Sequence, residues 1–156
     1  MRPALTALEL LAEHDDELVL AGGTEVFRLP LAASGAERLA VLVRALPVLC
    51  TRVPVAVAPP RWVGVLPDGE TPFTAEPKLP GTRPAGRLGS IAASQLTGIV
   101  TALADVPARE ARQWGVPGDG DVLQAPGLAL LAAGPRLTGV TGWRLALGSA
   151  DPALPG

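Results

Sequence analysis

Two adjacent glycines, Gly22 and Gly23, stand between two runs of strand-like composition, residues 17–21 (Glu-Leu-Val-Leu-Ala) and 24–29 (Thr-Glu-Val-Phe-Arg-Leu). A two-residue glycine link can take the positive φ angles of a type I′ turn, so the arrangement predicts a β-hairpin. In that register Val19 would oppose Val26 and Leu18 would oppose Phe27. The same tetrad, Ala21-Gly22-Gly23-Thr24, has a second physical reading. Paired glycines let backbone N–H groups approach a phosphate, and the Thr24 hydroxyl would add a donor. The two readings part at one point. A hairpin requires residues 24–29 to pair back on 17–21, and an open phosphate loop does not.

The flanking pattern extends this beginning. Leu5, Leu8, Leu11 and Ala12 recur at helical spacing, which predicts an amphipathic helix over 4–14. A second helix is expected over 35–46, with Ser34 as its N-cap and Pro47 just beyond its end. The run 48–57 reads as extended, with Pro54 confining it to a sheet edge. Residues 61–66 form a further strand candidate, and Pro67-Asp68-Gly69 is a turn in which proline presets φ and Asp bonds back to the chain. A short extended piece, 70–74, precedes a Pro- and Gly-rich loop over 75–88. A third helix is expected over 90–106, with Leu96, Ile99, Leu103 and Val106 as its apolar stripe. After a loop at 115–121, residues 136–140 and 143–147 read as a last hairpin through Thr141-Gly142.

Composition bounds the function. The chain has 156 residues, 48% of them apolar, enough for a sizeable core. It has no Asn and no Tyr, and one Lys (Lys78) against 12 Arg, the residue usage of a GC-rich bacterial genome. Net charge is −2 with the arginines scattered, so no basic stripe marks a nucleic-acid partner. The single cysteine, Cys50, excludes an internal disulfide, and with only one His a Cys/His zinc site is not expected. The N-terminal residues show no secretory signal, and no run approaches the ~18 apolar residues of a membrane span, so a cytoplasmic protein is expected.

The remaining constellations read as structural. His14-Asp15-Asp16-Glu17 cannot all point at one ion as consecutive residues, and Asp119 and Asp121 lack the other ligands of a calcium loop. Cys50 reads as an inert thiol, Ser90 as a helix cap, and Trp62, Trp114 and Trp143 as core or interface plugs. General acid–base chemistry draws on His, paired carboxylates, Cys, Lys or Tyr. With one His, one Cys and one Lys, no catalytic residue and no metal ligand is assigned.

One resemblance bears on the glycines. The segments Leu10-Leu11-Ala12-Glu13-His14 and Leu20-Ala21-Gly22-Gly23-Thr24-Glu25 resemble the start of the FAD-binding domain of molybdopterin-dehydrogenase-type flavoproteins. The likeness covers residues 3–49, and the family's second glycine-rich loop has no paired-glycine counterpart at 89–93. It implies that Gly22, Gly23 and Thr24 touch the flavin pyrophosphate.

The expectation is an α+β fold, an antiparallel sheet with helices packed on it in the order helix, hairpin, helix, meander, helix. It forms one domain over 1–149 with a tail at 150–156. The functional expectation is a non-catalytic binding or regulatory module without a cofactor, joined to a protein partner or a second copy and to neither nucleic acid nor membrane. The alternative is a shortened FAD-binding domain using the Ala21-Gly22-Gly23-Thr24 loop.

Overall fold

A computed structural model of the chain describes residues 8–149, which form an α+β structure with two compact units. The first unit comprises Met1–Pro47 and Ala58–Lys78 and holds a five-stranded antiparallel sheet in the order β1-β2-β3-β5-β4. Its strands are β1 (Glu9–His14), β2 (Glu17–Gly22), β3 (Glu25–Pro30), β4 (Arg61–Val65) and β5 (Pro72–Pro77). Helix α1 (Ala33–Leu49) lies between β3 and β4 in sequence. In β2 and β3 buried and half-buried residues alternate along the strand. Glu17, Val19 and Ala21 share the buried face with Val26, Arg28 and Pro30, as a period of two requires. On α1, Leu39, Val41, Leu42, Ala45, Leu46 and Leu49 are buried at helical spacing.

The helix expected over 4–14 is instead a strand over Glu9–His14, and residues 4–7 lie outside the described residues. β1 pairs with β2, Leu10 opposite Leu20 and Ala12 opposite Val19, leaving Leu11 without a partner. That bulge breaks the alternation. Leu10 and Leu11 are then both exposed, at 54% and 44%, so the leucine spacing that mimicked a helix buries no helical face. Pairing with β2 overrides the local propensity.

The hairpin at the glycines is present, two residues out of the predicted register: Leu18 opposes Leu29, Val19 opposes Arg28 and Ala21 opposes Val26. Gly22 belongs to β2 opposite Glu25, so the two-residue link is Gly23-Thr24. Gly23 alone of the pair takes positive φ, +63°, and a Cβ there would meet nothing within 4 Å. A Cβ on Gly22 would come within 2.6 Å of Cδ2 of Leu8, the far end of a flexible side chain. Gly23→Val is therefore expected to lower stability by about 1–3 kcal/mol through backbone strain. Gly22→Ala, whose clash Leu8 can relieve, is expected to cost under about 1 kcal/mol. Urea unfolding of the two variants checks the ranking, and a larger loss at Gly22 would refute it.

α1 runs through Pro47 to Leu49, and Ser34 lies inside it and bonds to Asp16 rather than capping it. The run 48–57 is accordingly not a strand: it finishes α1 and turns, with the backbone N–H groups of Arg52 and Val53 donating to the Leu49 carbonyl. The turn at Asp68 forms as expected, its carboxylate accepting from the backbone of Glu70 and Thr71 and from the Thr71 hydroxyl.

The second unit comprises Val48–Val57 and Leu79–Gly156. It holds α2 (Ser90–Ala104), α3 (Ala108–Gln113) and two small antiparallel pairs. β6 (Val122–Gln124) pairs with β9 (Ala146–Gly148), and β7 (Ala129–Ala133) with β8 (Arg136–Thr141). The predicted last hairpin is not made, because β8 and β9 each take an earlier strand as partner. Ile99, Leu103 and Val106 of the expected stripe are buried, together with Leu123, Val140, Trp143 and Leu147. The Gln95 amide ties α2 to β8, donating to the Leu137 carbonyl at 3.2 Å and accepting from its N–H at 2.7 Å. Among the described residues no helix is long and apolar enough to cross a membrane.

Candidate functional site

Three charged side chains lie buried on one face of the five-stranded sheet. Glu17 and Arg28 are each 8% exposed and Glu76 is 7% exposed. Register puts them there: Val19, Arg28 and Thr74 face one another across β2, β3 and β5, as do Ala21, Val26 and Glu76. Directly opposed residues share a face, and diagonal neighbours are within reach of long side chains. Arg28 Nε donates to Glu76 Oε1 at 2.6 Å, and Nη2 lies 3.5 Å from Oε2. Nη1 lies 3.8 Å from Glu17 Oε1. The guanidinium is thus flanked by carboxylates from both neighbouring strands.

The electrostatics follow from one cation facing two acids in a desolvated place. Burial pushes the Glu76 carboxyl above its ordinary range; Arg28 pulls it down incompletely, and Glu17 adds to the rise. Burial works against the Arg28 charge, but Glu76 and then Glu17 leave it held above its ordinary value. Thr74, opposite Arg28, is fully buried, and its Oγ1 has no hydrogen-bond partner among the described residues.

The residues singled out from the sequence fall elsewhere. Gly22, Gly23 and Thr24 form the end of β2 and the β2–β3 turn, and the Thr24 carbonyl accepts from Lys78 N–H at 2.8 Å. The strand after the turn pairs fully back, so the open-loop geometry is absent. Asp16 is held by Arg38 and Ser34, and the Arg38 hydrogen bond keeps its carboxyl below the ordinary value. No group of three or more His, Cys, Asp or Glu among the described residues could hold a metal ion. Asp119 and Asp121 are exposed in the loop before β6, and Cys50 is half-buried after α1. Ser90 opens α2, whose N-cap is Gly89. Trp114 and Trp143 are buried and Trp62 is exposed on β4. Sequence reasoning missed Arg28 and Glu76. The available signal was an arginine on the same alternation as Val26 and Pro30.

No protein-family model matches the chain, and no curated protein matches it. Solved structures do. APH(2")-IIia, solved with GDP and kanamycin, is 27% identical with a TM-score of 0.61, over 75% of this chain and 42% of that one. Wild-type aminoglycoside 2'-phosphotransferase-IIIa, solved with GDP, is 28% identical with a TM-score of 0.59, over 72% and 40%. The macrolide 2'-phosphotransferase MphH from Brachybacterium faecium, an apoenzyme structure, is 20% identical with a TM-score of 0.65, over 86% and 64%. The chain shares a fold with these phosphotransferases. It spans about two fifths of the length of the two aminoglycoside proteins.

This likeness overturns the flavoprotein resemblance and the reading as a shortened FAD-binding domain, which rested on a short glycine motif that is a hairpin turn. It also overturns the expectation of a non-catalytic binding or regulatory module, since the neighbours are phosphotransferases.

In protein kinases the third strand carries the basic residue that serves the nucleotide phosphates, and a glutamate of the following helix pairs with it. Here the third strand carries Val26-Phe27-Arg28, and α1 has one acidic residue, Glu37, which is exposed. The chain also departs from the protein-kinase pattern. The sequence contains no Asn, no Asp-Phe-Gly and no Gly-x-Gly-x-x-Gly. The described acids of the second unit are Asp105, Glu110, Asp119 and Asp121, of which Glu110 pairs with Arg52 at 3.0 Å.

Proposed function

We propose that this chain is a kinase-like phosphotransferase unit whose sheet binds a purine nucleotide through its phosphates, with Arg28 as the phosphate-facing cation. The observation that carries the reading is a desolvated arginine on the third strand, in a fold shared with phosphotransferases solved with GDP. An arginine presents five N–H donors, so one guanidinium can serve carboxylates and a phosphate together. A cation kept in low dielectric attracts a phosphate more strongly than one in water. By the same likeness the phosphoryl acceptor is a hydroxyl of an aminoglycoside- or macrolide-type compound. The protein works in the cytoplasm, where nucleoside triphosphates are made and used.

Thermal unfolding with GTP, GDP, ATP or no nucleotide tests the reading. At a hundredfold excess over Kd, a bound nucleotide adds about 2.7 kcal/mol. For a chain of this size that raises Tm by roughly 5–10 °C. No shift with any of the three at millimolar concentration would overturn the proposal. Labelled phosphate appearing on kanamycin or a macrolide would establish the acceptor class.

A further inference from the structure

We infer that Glu76 of β5, and not Glu37 of α1, positions Arg28 for the nucleotide; the inference rests on the nucleotide reading above. In protein kinases the pairing carboxylate sits on a helix, so helix position controls whether the basic residue is in place. Here the carboxylate belongs to the sheet itself. Glu76 stands across from Val26, two residues from the Arg28–Thr74 pair, and the backbone ladder between β3 and β5 fixes that diagonal relation. Glu76 engages Nε and Nη2 of the same guanidinium, setting the plane of the fork as well as its position. Glu17 approaches the Nη1 edge from β2. The one acid that α1 offers, Glu37, is exposed. The cation is therefore oriented by strand pairing, and its orientation does not depend on a carboxylate from α1.

Calorimetric titration of the full chain with the tighter-binding of GTP and ATP, and with the matching nucleoside, tests this. Glu76→Gln is expected to weaken triphosphate binding tenfold or more while nucleoside affinity stays within twofold. A purely structural role would weaken both alike. Glu37→Gln, on an exposed residue, is expected to leave both within twofold. Glu76→Asp keeps the charge on a shorter stem, provides a second variant should Glu76→Gln fail to fold, and is expected to give an intermediate loss. The inference is overturned if Glu37→Gln costs tenfold, if Glu76→Asp binds like wild type, or if Glu76→Gln weakens nucleoside and triphosphate equally. Wild-type protein that binds neither ligand would instead refute the nucleotide reading, and the inference with it.

Discussion

Arg28→Ala is expected to destabilise the first unit by about 3–5 kcal/mol, because it leaves two buried carboxylates without their shared cation. Glu17 and Glu76 are each less than a tenth exposed, so water cannot replace the guanidinium cheaply. The loss should depend on pH in a defined direction. In the wild type the Glu76 carboxyl is held above its ordinary 4.5, chiefly by burial. A raised folded pKa means that the native state holds its proton longer than the unfolded chain does. Stability from this group is complete below pH 4.5 and falls as pH rises from there through the folded value. Without Arg28 the pull that lowers this pKa is gone, so the decline steepens and the gap between variant and wild type widens toward neutral pH. Asp16 has the opposite sign. Its pKa lies below 3.8, so its contribution is present above that value and is lost as pH falls further. The comparison therefore belongs between pH 4 and 7. Urea unfolding of both proteins at several pH values in that range measures it. A loss under about 1 kcal/mol at pH 7 would mean that the cluster is reached by solvent and is not the desolvated site described.

The parts of the fold that could be read from the sequence are those set by local chemistry. α1 and α2 carry a helical apolar period, the Asp68 turn follows from its three residues, and the β2–β3 hairpin follows from glycine between alternating runs. The parts that could not be read are set by partners distant in the chain. β1 has the leucine spacing of a helix and becomes a strand because β2 offers it an edge. Residues 122–148 contain four short strands, with the β7–β8 pair nested inside the β6–β9 pair. Gly134-Pro135, with Gly134 at positive φ, is a turn signal for the inner pair, and nothing local encodes the outer one. The site was less legible still. Arg28 is 48 residues from Glu76, and nothing local to either shows that they meet. The tetrad Ala21-Gly22-Gly23-Thr24 drew attention because glycine pairs serve phosphates and turns alike. The backbone decides for the turn, with one residue at positive φ and a ladder that closes behind it.

Gly35→Ala should also cost stability, against the usual sign for glycine in a helix. In a helix interior alanine is ordinarily better than glycine by roughly 0.5–1 kcal/mol. At Gly35, however, a Cβ would lie 2.0 Å from the backbone oxygen of Asp16 and 3.0 Å from its carbonyl carbon. The obstacle is backbone, and that oxygen already accepts from Leu31 N–H at 2.8 Å. The first turns of α1 are otherwise clamped to the β1–β2 turn by Asp16, which bonds Ser34 at 3.0 Å and Arg38 Nη1 at 3.1 Å. A methyl group can enter only by lifting the helix from the turn, which loosens these bonds together. The expected net loss is about 2–3 kcal/mol. The neighbouring Ala36→Gly should lose up to ~1 kcal/mol from propensity alone, so the two variants separate clash from propensity. A second readout is the titration of Asp16. With Arg38 displaced, its carboxyl should rise back toward 3.8, the value from which that hydrogen bond lowers it. A Gly35→Ala protein as stable as wild type, with Asp16 still titrating low, would show that α1 does not rest on the β1–β2 turn as described.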